Sequence, residues 1–360
     1  MGENSSIRRF LRIRGLGPAL TAFVGWIVIL FAFAAIDQDR VMLKSQNIMN
    51  LLRSMSFFLL VGIGQSYVLI TGNIDLSIGS VAGMSAMISA TLMCNGTSAP
   101  LAILISFLCC LVVGVINGVL VGGFKLPPFI ATLGTMFVAR GAAYMVNKNR
   151  NTDAISTGIG KEAADRFQQL LYYGKTLGIF NTFLIAIAIF AIFFFILSKT
   201  RTGRHIYAIG SNIDAAKLSG VNVQSTIIKV YLISAINSCV VGYFLVAQAS
   251  MGNMEAGLSY EMYGVAAGVI GGVSPLGGTG LLLGTLAGAG VWQTLQNGLS
   301  MIGAQVGLQR IVIGVIVVFA VLLDVVLRTG KRTKKIKTKT SANVEANIDA
   351  AAIEDSKDTD

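Results

Sequence analysis

Residues 178–223 read GIFNTFLIAIAIFAIFFFILSKTRTGRHIYAIGSNIDAAKLSGVNV, an apolar run that gives way abruptly to a polar one. The part from 178 to 198 contains no charged side chain, and roughly 20 apolar residues suffice for a helix that crosses a bilayer. The part from 199 to 223 is too polar to lie in lipid. The stretch therefore predicts a membrane-spanning helix that ends in a polar loop at one membrane surface.

The rest of the chain repeats this apolar character. Of its 360 residues 54% are hydrophobic and 12% are charged, against roughly 25% charged in soluble domains. The apolar runs predict about ten transmembrane helices, so the expected fold class is an all-α integral membrane protein. They lie at about 18–36, 48–71, 77–94, 100–123, 127–146, 178–198, 225–249, 263–282, 283–302 and 309–328.

The run from 263 to 302 is compatible with more than one arrangement of helices. The pairs Gly271-Gly272 and Gly277-Gly278 and the single Pro275 interrupt it. Such a run also fits two short helices, or a broken helix around a polar cavity that protein covers.

Basic residues in the short connections predict the orientation, because Lys and Arg concentrate on the cytoplasmic side. Four Arg precede the first helix, four Lys and Arg lie in the loop 199–224, and a basic cluster begins at residue 328. Both termini and this loop are therefore expected in the cytoplasm. The loop 147–177 is expected outside, although it carries five basic residues.

These patterns divide the chain into three parts. Residues 1–17 form a basic cytoplasmic N-terminus, 18–328 the transmembrane domain, and 329–360 a charged cytoplasmic tail with too few large apolar residues to fold. The net charge of +11 is explained by the cytoplasmic helix ends. Membrane lipid is an expected partner, and nucleic acid is not, because no nucleic-acid-binding motif is visible.

Polar side chains inside the apolar segments mark candidate sites, because a charged side chain there costs on the order of 2–3 kcal/mol. Asp75, in TGNIDLSIGS (71–80), is either a cap for the following helix or part of a translocation path. Gln293 and Gln296 share a helix face, and hydrogen bonds between helices explain them as well as solute contact does. The candidate path residues are Asn73, Asp75, Ser77, Asn117, Thr132, Gln293, Gln296 and Asn297.

A second acidic position lies just before the eighth predicted helix. There Tyr260 and Glu261 follow Ser259 on the expected outer side. Glu261 is either a favourable charge at a helix N-terminus or, with Tyr260, a contact for an external partner.

The sequence offers no catalytic or metal-binding constellation. His205 is the one histidine of the chain, and the sequence shows no Ser-His-Asp or Cys-His arrangement around it. The four cysteines lie in or beside apolar segments and indicate neither a metal site nor a disulfide framework. GGTGLLLGT (277–285) lacks the Lys of a phosphate-binding loop. The chain is therefore expected to be no enzyme and to hold no cofactor, and ATP-driven transport would need a separate ATPase.

The loop 199–224 carries the most specific pattern. Asp214-Ala215-Ala216 with Gly220 resembles the EAAxxxG pattern of ATP-binding-cassette importer permeases, in which small alanines let a coupling helix fit a groove of the ATPase. The segments 71–80, 129–134 (FIATLG) and 200–223 resemble the permeases of the ribose, galactose and xylose importers, and the similarity runs from about 20 to 328. In three places the chain departs from the usual family residues, at Asn73, Ser211 and Tyr263.

The resemblance implies a homodimer in the bacterial inner membrane that translocates a monosaccharide by alternating access. ATP-binding-cassette ATPase subunits, which carry ATP and magnesium, would dock on the loop, and an external sugar-binding protein would deliver the solute. The coupling-loop residues so implied are Gly203, Arg204, Gly210, Asn212, Asp214, Ala215, Ala216 and Gly220. An ion-coupled secondary transporter, a membrane-embedded enzyme and an importer permease for a nucleoside or amino acid remain alternatives.

Overall fold

The computed structural model describes residues 16–37 and 40–312, together with residues 314, 315, 318 and 322. The predicted N-terminus 1–17 lies almost wholly outside the described residues, and so do most of the predicted tenth helix 309–328 and the tail 329–360. The helices are α1 (Leu16–Ile36), α2 (Ser45–Ile70), α3 (Ile78–Cys94), α4 (Ala99–Gly122), α5 (Pro128–Val146), α6 (Ser156–Ile159), α7 (Lys161–Gln168), a π-helical turn (Gln169–Tyr173), α8 (Asn181–Lys199), α9 (Arg201–Ser211), α10 (Ile213–Leu218), α11 (Val223–Ala249), α12 (Tyr260–Ile270) and α13 (Leu282–Met301). Two short antiparallel strands, β1 (Lys175–Thr176) and β2 (Ile179–Phe180), pair between the π-helical turn and α8.

Six of the described helices are long and apolar enough to cross a membrane, namely α1, α2, α4, α5, α8 and α11. The apolar α3 is shorter. The chain is thus a multi-pass, α-helical membrane protein, which confirms the predicted fold class in this form.

The centre of the helix bundle is formed by α2 and α11, which are buried along most of their length. On α11 pack α2, α3 and α4, and α5 packs on α3. On α2 packs α12, and α13 lies between α12, α2 and α1. The remaining spans present much of their apolar surface outward, as a helix in contact with lipid does.

Small residues let the central helices approach closely, as is common where helices associate in lipid. On α4, a Cβ added to Gly118 would lie 2.5 Å from the Cα of Ile228, and one added to Gly114 would lie 2.8 Å from the Cβ of Ala235. Any larger residue at these positions would push α4 away from α11.

The predicted helix 263–282 is wrong in its second half. There α12 ends at Ile270, and residues 271–281 are irregular before α13 begins, so the run holds one helix of 11 residues and one of 20 with a break between them. Gly272 adopts φ +84°, and the Val273 N–H donates to the Gly268 carbonyl. This left-handed glycine is a common way for a helix to end. The bounds of the other fully described helices agree with the predicted ones within three residues.

Candidate functional site

The polar loop between α8 and α11 folds into two helices. Thr200 separates α8 from α9, and its Oγ1 accepts a hydrogen bond from the Gly203 N–H at 3.4 Å. A Cβ on Gly203 would clash with the Leu197 carbonyl, so this turn requires glycine. On α9, Ile206 and Ile209 are buried while Arg204 is exposed. Such an amphipathic helix fits a position along the membrane surface.

The second helix of the loop, α10, has a side-chain cap at its start and a glycine just beyond its end. Asn212 Oδ1 accepts from the N–H groups of Asp214 at 3.0 Å and Ala215 at 2.9 Å, which is an N-cap. Gly220 adopts φ +80°, and the Val221 N–H donates to the Ala216 carbonyl at 3.0 Å. The six-residue helix is therefore held at both ends.

One side of α10 is free for a partner. Asp214 and Ala215 are exposed, whereas Ala216 is buried. Leu218 is 90% exposed, which is unusual for an apolar side chain in a charged loop and gives α10 an apolar contact point at its end.

The loop is joined to the helix bundle through a tight contact that we call the glycine junction, formed by Gly210, Ile70 and Gly278. The Gly278 N–H donates to the Ile70 carbonyl at 2.8 Å. A Cβ on Gly210 would clash with that carbonyl and lie 2.6 Å from the Gly278 nitrogen. Beside it, the Tyr207 hydroxyl donates to the Gly280 carbonyl at 2.7 Å. Burial raises the pKa of Tyr207 to about 12, so this donor stays protonated at neutral pH.

A chain of buried hydrogen bonds starts at Asp75, which is 2% exposed. Its Oδ1 accepts from the Ser77 N–H at 2.8 Å and the Ser77 hydroxyl at 2.6 Å. Its Oδ2 accepts from the Ser234 hydroxyl of α11 at 2.7 Å. Asp75 thus organises the turn before α3 and ties that turn to α11, but the N-cap position of α3 is Ser77, and no side chain caps this helix.

The same chain continues to α4 and α5. Asn117 Nδ2 donates to the Ser77 hydroxyl at 2.9 Å, and the Thr135 hydroxyl donates to Asn117 Oδ1 at 2.6 Å. The buried polar chain therefore consists of Ser234, Asp75, Ser77, Asn117 and Thr135. Sequence reasoning found its middle three residues and missed both ends, because a serine or threonine within an apolar helix is common and singles out no partner.

The remaining candidate path residues lie elsewhere. The Asn73 amide donates to the Thr71 hydroxyl at 2.9 Å, and the Thr132 hydroxyl donates to the Pro128 carbonyl at 2.8 Å. On α13, Gln293 is 9% exposed and Gln296 is half-buried. The Asn297 amide donates to Asn47 Oδ1 of α2 at 3.1 Å. The eight candidates therefore fall into separate groups, and three of them belong to the buried polar chain.

Tyr260 and Glu261 form the first turn of α12 and are both half-buried. Glu261 lies against Gly79 at the start of α3. Arg140 of α5, which sequence reasoning missed, donates to the carbonyls of Met254 at 3.1 Å and Ala256 at 2.8 Å. This arginine fixes the segment that leads into α12, and its placement within an apolar run was the available clue.

The chain matches a family model described as "Branched-chain amino acid transport system / permease component" over residues 47–321. The ribose import permease protein RbsC of Bacillus subtilis is 34% identical over 308 residues, which cover 86% of this chain and 93% of that protein. The galactose/methyl galactoside import permease protein MglC of Escherichia coli is 32% identical, with 82% of this chain and 91% of that protein covered. The D-allose transport system permease protein AlsC of Escherichia coli is 30% identical, with 78% and 83% covered.

No solved structure matches the chain significantly. The curated relatives, by contrast, are aligned over most of their own length as well as most of this chain. They are permease subunits of importers of the kind that the loop 199–224 and the segments 71–80 and 129–134 indicate. The chain belongs to this family of ATP-binding-cassette importer permeases.

Proposed function

We propose that this chain is the membrane-spanning permease subunit of an ATP-driven importer that brings a monosaccharide into a bacterial cell. The ribose, galactose and allose permeases to which it is similar support a sugar as the solute. The buried polar side chains of the bundle are mostly hydroxyls and amides, which suit a neutral solute that binds through hydrogen bonds.

The observation that carries the proposal is the connection of the loop between α8 and α11 to the glycine junction. This loop offers an exposed face on α10 and contacts both the end of α2, through Gly210, and the segment between α12 and α13. A push on α10 by an ATPase subunit would therefore reach two places where helices end. Helix ends are the positions that absorb the backbone rotation of an alternating-access change.

The proposed topology has ten membrane helices with both termini in the cytoplasm, and it retains the division into residues 1–17, 18–328 and 329–360. Its support is the contact of the segment 271–281 with Ile70 and Tyr207. The end of α2, the loop of α9 and the start of α13 then lie on one side of the membrane. In the proposed topology, an even number of membrane crossings separates any two of these three positions, so all three lie on the same side.

The proposed assembly contains a second copy of the chain, ATP-binding-cassette ATPase subunits and an external sugar-binding protein, in the inner membrane. ATP and magnesium belong to the ATPase, so the permease itself is no enzyme. The segment around Tyr260 and Glu261 is the proposed contact for the binding protein, and the exposed Asn253, Glu255 and Met262 lie beside it.

The test is uptake into proteoliposomes. The chain reconstituted with the ATPase and sugar-binding protein of the proposed assembly should accumulate radiolabelled D-ribose or D-galactose only when ATP is supplied. The chain alone should hydrolyse no ATP and accumulate no sugar under a proton gradient. Accumulation under the proton gradient would establish an ion-coupled carrier instead. ATP-driven uptake of a branched-chain amino acid without sugar uptake would favour the solute in the description of the family model.

A further inference from the structure

Between α2, α12 and α13, aromatic rings pack near buried polar groups that lie outside the proposed coupling route. Phe58 of α2, Tyr260 and Tyr263 of α12, and Trp292 of α13 form what we call the aromatic cluster. Ring centroids lie 5.4 Å apart for Phe58 and Tyr263, 5.1 Å for Tyr263 and Trp292, and 5.4 Å for Tyr260 and Tyr263. The cluster therefore joins the three helices α2, α12 and α13.

Gln65 lies on the face of α2 that packs against Gly264 of α12, the residue that follows Tyr263. It follows Phe58 by seven residues, which is two helical turns, and a Cβ added to Gly264 of α12 would lie 3.2 Å from the Cβ of Gln65. Gln65 is 0% exposed. Within the part of the chain that the structure describes, neither its Oε1 nor its Nε2 has a hydrogen-bond partner, and the Nε1 of the buried Trp292 has none either.

Such unpaired groups need an explanation, because buried polar atoms in proteins are nearly always hydrogen-bonded. The neighbouring Ser66 shows that the same packing can satisfy a polar side chain, since its hydroxyl pairs with that of Thr285 at 2.7 Å. Gln65, one residue earlier, is left with two donors and an acceptor. A carrier would keep such groups unpaired where its solute supplies the partner in another conformation.

The aromatic cluster also borders a cavity. A space of about 240 Å³ lies between the end of α11 and the segment 251–258, and Tyr260 forms part of its wall together with Gln248 and Asn253. This volume is below the ~300–1,000 Å³ of pockets for drug-sized ligands and suits a smaller solute. Tyr260 thus belongs both to the cavity and to the aromatic cluster.

We propose that the aromatic cluster and Gln65 form a binding site for a neutral, polyhydroxylated solute on its way through the permease, reached from the cavity at Tyr260. The inference rests on the proposed function and adds the residues and the ligand class. Aromatic rings offer apolar faces to the C–H side of a sugar ring. The Gln65 amide and the Trp292 indole offer three donors and an acceptor to its hydroxyls. None of these five side chains is charged, which suits a neutral solute, and the charged side chain in the wall of the adjoining cavity is Glu255.

The first test uses Gln65→Met, which keeps the unbranched shape of the side chain and removes both unpaired groups. No hydrogen bond is lost, so the thermal unfolding temperature of the purified full-length chain should stay the same or rise. Uptake of radiolabelled D-ribose or D-galactose by the complete importer, at a concentration below saturation, should fall at least tenfold. ATP hydrolysis stimulated by the loaded binding protein should persist.

The second test compares the two tryptophans of the chain. Trp292→Phe keeps an aromatic ring in the cluster but removes the unpaired N–H together with part of the buried indole, so uptake should fall several-fold and the lost packing should also lower thermal stability. Trp26→Phe is the matched control, because the Trp26 N–H is already paired with the Thr294 hydroxyl at 2.9 Å. It should lower thermal stability and leave sugar uptake intact.

The outcomes separate this inference from the proposed function. If the wild-type importer takes up neither D-ribose nor D-galactose, the proposed sugar transport fails, whatever the variants do. If the wild type takes up sugar and Gln65→Met and Trp292→Phe match it, the binding site is overturned while the function stands. A Gln65→Met chain that loses both stability and uptake would also overturn the site, because the amide would then be structural.

Discussion

The hydroxyl of Tyr207 donates a 2.7 Å hydrogen bond to the carbonyl oxygen of Gly280. This bond joins the polar loop between α8 and α11 to the irregular segment between α12 and α13. Together with the glycine junction, it forms the proposed route by which a force on α10 would reach the membrane domain.

Tyr207→Phe should weaken the coupling between ATP hydrolysis and transport. The change removes one hydrogen bond, worth about 1 kcal/mol, and keeps the ring in place. The number of sugar molecules imported per ATP hydrolysed should fall several-fold in proteoliposomes, with the ATPase rate retained. The matched control is Tyr173→Phe, which removes a 2.9 Å bond from a tyrosine to the Gln248 carbonyl away from the junction. If both variants import the same number of sugar molecules per ATP hydrolysed, a coupling role for Tyr207 is ruled out.

Gly210→Ala should disrupt the glycine junction. Its Cβ would meet the backbone carbonyl of Ile70, and backbone cannot move aside as a flexible side chain can. We expect a loss of about 1–3 kcal/mol in stability, the usual range for overpacking. This loss is measured as a lower thermal unfolding temperature of the detergent-solubilised chain. Gly25→Ala, on α1, has no atom within 4 Å of its new Cβ and should unfold at the wild-type temperature. If Gly210→Ala unfolds at the same temperature as Gly25→Ala, the close backbone contact at the glycine junction is not needed for stability.

Ser234→Ala should destabilise the turn before α3. It leaves Asp75 Oδ2 buried without its partner, at a cost of about 1–3 kcal/mol. Ser238→Ala is the control one turn further along α11, because its hydroxyl bonds only the Ser234 backbone carbonyl, and it should cost less. In a double-mutant cycle, Asp75→Asn should reduce the effect of Ser234→Ala. Independent effects of the two changes would contradict a direct interaction.

Leu218→Asp should prevent the ATPase from docking and leave the fold intact. Leu218 is 90% exposed at the end of α10, so a charge there costs the chain little and removes an apolar contact from the proposed interface. Co-purification of the ATPase with the tagged permease measures the effect. Leu177→Asp is the control. It changes a similarly exposed leucine, 94%, in the loop that is proposed to lie outside, and the ATPase should still co-purify with this variant. Loss of the ATPase with both variants would point to a general defect in assembly.

Much of the local structure could be predicted from the sequence because its causes are local. Hydropathy over about 20 residues identifies a membrane span without reference to any partner. Asn212 and Gly220 act on the backbone within three residues of themselves, so the cap and the end of α10 follow from residue type. The family could be identified for the same reason, since the motifs around Ala215 and in the segment 71–80 are continuous in the chain.

The functional contacts, in contrast, could not be predicted because they join residues far apart in the chain. Ser234 reaches Asp75 across 159 positions, and neither residue indicates the other by spacing. The break after Ile270 could not be predicted, because an apolar run that contains glycines is compatible with one helix or with two. It is fixed by the packing of residues 271–281 against Ile70 and Tyr207.

The polar loop that follows α8 shows both contributions. Its amino-acid sequence alone determined that the chain spans a membrane, that this loop leaves it, and that a capped helix with small residues lies there. Only the tertiary structure decided which parts of the bundle the loop contacts, because the proposed coupling route is a set of contacts between distant residues. Gly210 against Ile70, and Tyr207 against Gly280, exist only once α2 and the segment after α12 have been brought to the same end of the bundle.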